Sequence, residues 1–367
     1  MNIVLMYILK YTKGIQRKGF LILGIILNLT PLILMKDYFK FLTIEPNYFI
    51  QIIGISYFVL NSISMLVDYY DEKFKDFSPL DIFIYSIYFP KIFAGPLVRF
   101  KEFVEELNRG YSDKSIIDLN SGLFLISLGI IKKWLADYIY QFANAVFSNP
   151  SGFSGGELFI TIYIYTAYIF LDFSGYTDIA RGTSILMGIR LPENFRSPYL
   201  STNFREFWRR WHITLYEWIK DYIYIRLLGG SRKGKLRTYI NILIAFILSG
   251  AWHGNYFNYI IWGFFHGLGV IISRFANFED KFRKAISWFI TFNSVAILWI
   301  VFAITDLSKL KTFFYHLFTD FNIKAIYVFS LAKWDLMLVL AIGYVIAFTD
   351  IFIKEKVYLL EKKELFF

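Results

Sequence analysis

Cysteine is absent from this 367-residue chain. That excludes disulfide scaffolds, thiolate metal sites and a covalent thiol intermediate. Charge is scarce too: 19% of residues are Asp, Glu, Lys or Arg, against about 25% in soluble domains. Disorder is excluded, since it needs low hydrophobicity and high charge. What is present is apolar. The chain is 56% hydrophobic, with 41 Phe, 27 Tyr and a mean hydropathy of +0.47. This composition belongs to a chain dissolved in lipid.

A membrane-crossing helix needs roughly 20 mostly apolar residues. Gly19 to Met35, Pro46 to Val67 and Ala285 to Ile304 carry no charge and meet this. The longest charge-free stretch, Thr238 to Ser273, is too long for one span, and the turn signal Gly254-Asn255 divides it into two helices. Weaker candidates are Ile82 to Phe93, Leu119 to Ile131, Leu158 to Leu171 and Leu336 to Thr349. The expectation is on the order of 8–11 helical segments in or across the membrane. Met1 to Leu9 precedes its basic residues, the reverse of a cleavable signal peptide. With no repeat and no linker, residues 1–367 are expected to form one integral membrane domain.

The net charge of +10 is localised. Lys10 to Lys18 holds four basic and no acidic residues, and Arg196 to Arg237 holds ten basic and three acidic ones. The positive-inside rule puts both stretches on the cytoplasmic side. Nucleic-acid binding is disfavoured in so lipid-soluble a chain.

The block from Asp172 to His266 carries the chemistry. Asn203 to Tyr224 has the periodicity of an amphipathic helix capped by Ser201, Thr202 or Asn203. Arg205, Trp208, Arg209 and His212 share one face; Trp211, Leu215, Trp218 and Tyr222 share another. Periodicity alone leaves two readings open, a surface anchor or a helix aiming His212 and its arginines at an anionic substrate. His253, in Ala-Trp-His-Gly within the charge-free stretch, is favoured as functional. An ionisable group there is costly, and imidazole exchanges protons near neutral pH. His266 follows thirteen residues later, and the break at Gly254-Asn255 leaves its proximity to His253 open. No Asp or Glu lies between Asp221 and Glu279, so no metal site is expected on these histidines.

The loop Gly229 to Lys235 is glycine-rich and basic but lacks the spacing of a nucleotide loop, and is expected to be a cytoplasmic turn. Gly152-Phe-Ser-Gly-Gly156 matches a hydrolase nucleophile pattern, but follows Ser148-Asn-Pro150 in a turn-rich loop and is read as coincidence. Asp172 and Asp178 are expected to give structural support, by ion pairs to the arginine-rich helix or by shaping the site.

In combination these segments resemble the membrane-bound O-acyltransferase superfamily, and more narrowly its bacterial alginate O-acetylation branch. The matching pieces are Tyr88 to Arg99, Asp172 to Asp178, Pro192 to Phe195, Phe207 to His212, Gly229 to Arg232 and Ser249 to Gly254. They fall within residues 46–275. The sister branch that passes D-alanine to teichoic acids shares both histidines. Arg226 stands where the acetylation branch usually has Pro, so the entry to the glycine loop is expected to differ. The chain is also shorter than typical members, which carry further helices before the segment matching Gly19 to Met35. An N-terminally shortened outer ring is therefore expected.

The resemblance implies an all-α polytopic membrane protein, a ring of transmembrane and re-entrant helices around a central acyl-transfer site. It implies His253 as the essential histidine and general base, with His212 holding the acceptor or polarising the carbonyl. Arg209, Arg210, Trp208, Trp252, Arg232 and Lys233 are expected to bind substrate, the cations drawing in an anionic donor. Asn194 joins the two aspartates in support. No bound cofactor is implied. An acyl thioester, acetyl-CoA or an acyl carrier protein, would be the donor substrate, in the bacterial cytoplasmic (inner) membrane. An extracytoplasmic esterase-like partner of the SGNH type would complete O-acetylation of an envelope polysaccharide. Competing readings are D-alanyl transfer to teichoic acid and, from another class, a transporter or flippase for a lipid-linked sugar or acyl donor.

Overall fold

The computed structural model describes residues 1–35, 54–113, 117–232, 234–275 and 280–364. Among the described residues there are sixteen α-helices and no named strand. The extended pairing is a single bridge between Phe195 and Trp211. The polytopic all-α character is thus as expected. Four helices among the described residues are long and apolar enough to cross a membrane: Gly14–Leu34, Gly155–Leu186, Lys281–Ala303 and Trp334–Glu355.

The chain forms two compact units, residues 1–127 with 177–193 and residues 128–176 with 194–367. The first contains α1 (Asn2–Tyr11), α2 (Gly14–Met35), α3 (Ile55–Tyr70), α4 (Pro79–Ile87), α5 (Phe89–Ile92) and α6 (Phe100–Ser112). Two long helices, α7 (Leu119–Ser148) and α8 (Gly155–Leu186), give residues to both units. The second adds α9 (Phe204–Arg210), α10 (Ile213–Trp218), a π-helical segment Ile219–Leu227, α11 (Lys235–His253) and α12 (Phe257–Ile272). It continues through α13 (Lys281–Ala303), α14 (Leu307–Thr319), α15 (Ile323–Ala332) and α16 (Trp334–Glu364).

In the first unit, α1, α2 and α3 are joined through polar side chains. Asn2 Nδ2 donates to Asn28 Oδ1 at 3.2 Å and to Ser62 Oγ at 2.9 Å, so buried amides find partners where water is excluded. The expected span Pro46 to Val67 appears as α3 from Ile55 onward; its earlier part lies outside the described residues. Ile82 to Phe93 is two short helices, α4 and α5. Ser78 and Asp81 form a capping box at the start of α4, with Pro79 as its first residue.

In the second unit the core mixes aliphatic and aromatic side chains of α7, α8, α9, α12, α13 and α16. Three expected spans prove much longer. Leu119 to Ile131 opens the 30 residues of α7, Leu158 to Leu171 lies inside the 32 of α8, and Leu336 to Thr349 inside the 31 of α16. The hydrolase-like pattern is a helix start. Ser154 Oγ bonds Glu157 Oε2 at 2.8 Å and accepts from the Glu157 N–H at 3.4 Å, capping α8.

The charge-free stretch splits where the turn signal stands, α11 ending at His253 and α12 starting at Phe257. The two helices approach backbone to backbone. A Cβ on Gly250 would lie 2.1 Å from the Tyr259 carbonyl oxygen, and one on Gly263 would lie 2.4 Å from that of Phe246. Gly250→Ala is therefore expected to push the pair apart and cost about 3 kcal/mol, the upper end for overpacking. Thermal unfolding of the purified variant in detergent checks this; a wild-type Tm would show that the helices can separate freely.

Candidate functional site

The stripe Ile242, Ala245 and Ser249 on α11 runs at helical spacing into His253, four residues beyond Ser249. His253 is half-buried among rings. Its imidazole centroid is 4.8 Å from Trp252, 5.5 Å from Trp262 and 4.9 Å from Phe302, the last two nearly perpendicular. A base in this setting is shielded from bulk water yet keeps an accessible edge.

The Asn203–Tyr224 expectation needs correction: it is not one continuous helix. Asn203 caps α9, accepting from the Glu206 N–H at 2.9 Å, and α9 stops at Arg210. His212 then adopts φ 44° and ψ 53°, the left-handed region, which costs a non-glycine residue about 1–3 kcal/mol. The surrounding backbone fixes it there. The Arg196 N–H donates to Arg210 O at 3.0 Å, and the Ile213 N–H to Asn194 O at 3.0 Å. Asn194 Oδ1 also accepts from Thr214 Oγ1 at 2.6 Å. The amides that would have continued the helix are captured by a segment some twenty residues upstream. Arg205, Trp208 and Arg209 still share a face, while His212 turns away from it. The other predicted face holds up as a buried one: Trp211, Leu215, Trp218 and Tyr222 are all buried.

His212 is buried at 3% exposure, with its ring 4.6 Å from Phe173 and perpendicular to it. It lies outside the four candidate spans. Burial first, and the neighbouring His253 second, push its pKa down from 6.5 to about 3. Above that value it is a neutral imidazole, suited to hydrogen bonding rather than ion pairing. A depressed folded-state pKa also means that folding loses stability as pH falls below 6.5 towards 3.

His266, whose proximity the sequence leaves open, is fully buried one layer behind His253. Trp262 connects the two, 5.5 Å from His253 and 4.7 Å from His266 between centroids. Trp208 Nε1 donates to His266 Nδ1 at 3.2 Å, so the neutral ring carries its proton on Nε2. Trp208 thus anchors α9 to α12.

Beside Trp208 lies a cavity of about 210 Å³. Arg205, Arg209, Lys220 and Arg274 give it positive charge; Trp208, Ile219, Ile242, Ala245, Phe246 and Val270 give it apolar walls. Lys220 and Tyr224 reach it from the π-helical segment, a geometry common at functional sites. Arg274 and Lys220 were not singled out in the sequence. Arg274 is distant from Arg209 along the chain and the fold alone brings it there, whereas Lys220 follows eleven residues after Arg209 in the same basic segment.

The other predicted positions divide. Arg209 and Trp208 line the cavity, and Trp252 touches His253. Arg210 is paired with Glu206 at 2.8 Å and does not line the cavity. Arg232 is exposed on the glycine turn, and Lys233 lies outside the described residues. That turn uses left-handed Gly229 and Gly230, and Asn241 Nδ2 ties it to α11 by donating to Leu228 O and Gly230 O at 2.9 and 2.8 Å. Asp172 pairs with Lys133 of α7. Asp178 is buried in the first unit.

In this all-helical fold α11 thus ends on a ring-enclosed histidine, with His212 and His266 buried nearby. The chain belongs to the membrane-bound O-acyltransferase family, whose model matches residues 18–308. It is 37% identical over 261 residues to a probable alginate O-acetylase, AlgI, of Pseudomonas putida, covering 70% of this chain and 53% of that protein. It is 34% identical over 336 residues to a peptidoglycan O-acetyltransferase of Helicobacter pylori, covering 80% and 63%. A teichoic acid D-alanyltransferase of Bacillus subtilis is 32% identical over 287 residues, covering 74% and 71%. The chain thus spans little more than half the length of the alginate O-acetylase it matches.

Proposed function

We propose that this chain transfers an acetyl group from a cytoplasmic thioester to a hydroxyl presented from the other side of the inner membrane, for O-acetylation of an envelope polysaccharide. The observation that carries the reading is the α11 stripe, which leads from a cation-lined cavity at Ser249 to His253 within one helical turn. His253 acts as general base: it removes the hydroxyl proton as the oxygen attacks the thioester carbonyl carbon. The C–S bond then breaks, and the thiolate leaves with the proton returned from the imidazolium. His212, neutral and held in place by the Asn194 segment, hydrogen-bonds the acceptor or the carbonyl oxygen. Arg205, Arg209, Lys220 and Arg274 attract the phosphates of acetyl-CoA or of a carrier protein's prosthetic arm. An esterase-like SGNH-type protein outside the membrane receives the acetyl group for the final transfer.

D-alanyl transfer is the second reading, favoured by the fuller coverage of the Bacillus subtilis relative. Release of ester-linked acetate from envelope polysaccharides, wild type against a deletion strain, separates the two; unchanged acetate overturns the first. Labelled acetyl thioester with purified protein in detergent separates an enzyme from a transporter, because no gradient or compartment is present. In that assay Arg205→Gln with Arg274→Gln is expected to raise the donor KM about tenfold, with kcat nearly unchanged. An unchanged KM would remove the cavity from the donor path.

A further inference from the structure

The chemistry proposed for His253 fixes where the acyl group must lie. A general base sits about 2.6–3.2 Å from the hydroxyl it deprotonates, and that oxygen attacks from about 3–3.5 Å. The carbonyl carbon is therefore within about 7 Å of the imidazole, and the rest of the acyl group meets whatever borders that space. Rings border it. Trp262, with its centroid 5.5 Å from that of His253, is 1% exposed and closes the inner side. Trp252, Tyr259 and Phe302, at 4.8, 6.0 and 4.9 Å, are half-buried like His253 itself, so they border its accessible edge.

These walls are held in place. A Cβ on Gly254 would lie 2.9 Å from the Tyr259 ring, so that ring packs directly on the α11–α12 turn. Phe302 comes from a third helix, α13, and is fixed through its backbone. Asn258, fully buried at the second residue of α12, donates Nδ2 to Val301 O at 2.8 Å and to Phe302 O at 3.3 Å. Both carbonyls belong to the last turn of α13, where carbonyls lack intrahelical partners. This tie sets the end of α13 against the α11–α12 pair. The Phe302 ring then lies 5.0 Å from Tyr259 and 5.3 Å from Trp262, so one side chain touches the base and two of its neighbours. We propose that Phe302, held by Asn258, sets the acyl-size limit of the site: it is the wall against which a chain longer than acetyl runs. The inference rests on the acyl-transfer reading of His253 and adds to it the size of the group transferred. Shortening Phe302 leaves the glycine contacts of α11 with α12 untouched, and the Asn258 bonds are to backbone.

The test gives the purified full chain in detergent labelled acetyl-, butyryl- or hexanoyl-coenzyme A, with envelope polysaccharide as acceptor, and reads kcat/KM from the ester-linked label. The wild type is expected to prefer acetyl over butyryl by about 100-fold, within the range that excess methylenes impose in a close-fitting pocket. Phe302→Ala is expected to cut that preference about tenfold or more and to admit hexanoyl. Phe302→Leu should relax it in the same direction by less. The ratio between donors is the readout, because a general loss of fold or of His253 placement lowers transfer from all three together. A folded Phe302→Ala with the wild-type ratio overturns the proposal, as does a wild type that uses butyryl as readily as acetyl. If Phe302→Ala melts too low to assay, the ratio for Phe302→Leu decides. No transfer of any of the three by the wild type would instead end the reading of His253, and this inference with it.

Discussion

His253→Ala is expected to lower acetyl transfer by roughly 100- to 10,000-fold, the range that general-base help supplies, while the protein still inserts and folds. The imidazole sits at the last residue of α11, with Trp252, Trp262 and Phe302 round it. The approach of α11 to α12 depends on Gly250 and Gly263 rather than on this side chain. Loss of activity with an unchanged melting temperature is therefore the expected pair of results. The measurement is acetyl transfer from labelled thioester by purified protein, with envelope acetate in cells as a second readout. His266→Ala provides the contrast. It removes the acceptor of the Trp208 N–H and opens a gap behind Trp262, so it is expected to lower stability with a milder loss of rate. Normal acetylation by well-expressed His253→Ala would end the assignment. Equal losses from both, at equal stability, would move His266 into the reacting layer.

Much of this site is legible in the chain. Gly254-Asn255 marks the break after His253, and the period of α11 aligns Ala245, Ser249 and His253. The arginine-rich segment is legible only up to Arg210. A helical period continues on paper through His212, but Asn194 O takes the Ile213 N–H and the helix is broken there. Nothing within a few residues of His212 encodes that capture. The lengths of α8 and α16 are hidden for a related reason. Charged residues end an apolar run when the sequence is read, yet the helix continues if the fold supplies partners. Asp172 meets Lys133 from α7, and Arg181 Nη1 donates to Glu193 Oε1 at 3.3 Å. Local patterning shows the cost of such residues but not the partner that offsets it.

Asp350 is the strongest instance, and Asp350→Asn is expected to destabilise the second unit by about 3–5 kcal/mol, the cost of breaking a buried ion pair from one side. The predicted apolar run ends at Thr349, but α16 continues through Asp350, whose carboxylate meets Lys132 of α7 and Lys354 one turn further on, the latter at 2.9 Å. Lys132 and Asp350 side chains are fully buried and Lys354 is 3% exposed. Two ammonium groups share one carboxylate, and the asparagine leaves both cations without their anion. The loss should reach the site's support, because the next backbone amide, Ile351 N–H, donates to Ser197 Oγ at 3.1 Å. Ser197 lies on the same segment as Asn194, whose backbone carbonyl and side-chain oxygen hold Ile213 and Thr214 beyond His212. Detergent thermal unfolding measures the stability term, and single-turnover transfer by the protein that stays folded measures the term at the site. Replacing all three with apolar residues of similar volume, Lys132→Met, Asp350→Leu and Lys354→Met, should restore most of the stability, since the mutually paired charges are then removed together. If Asp350→Asn alone melts like the wild type, the triad is not what fixes α16 to α7. If the triple variant recovers stability but transfers acetyl poorly, the carboxylate's role is to place the Ser197 segment, and through it His212.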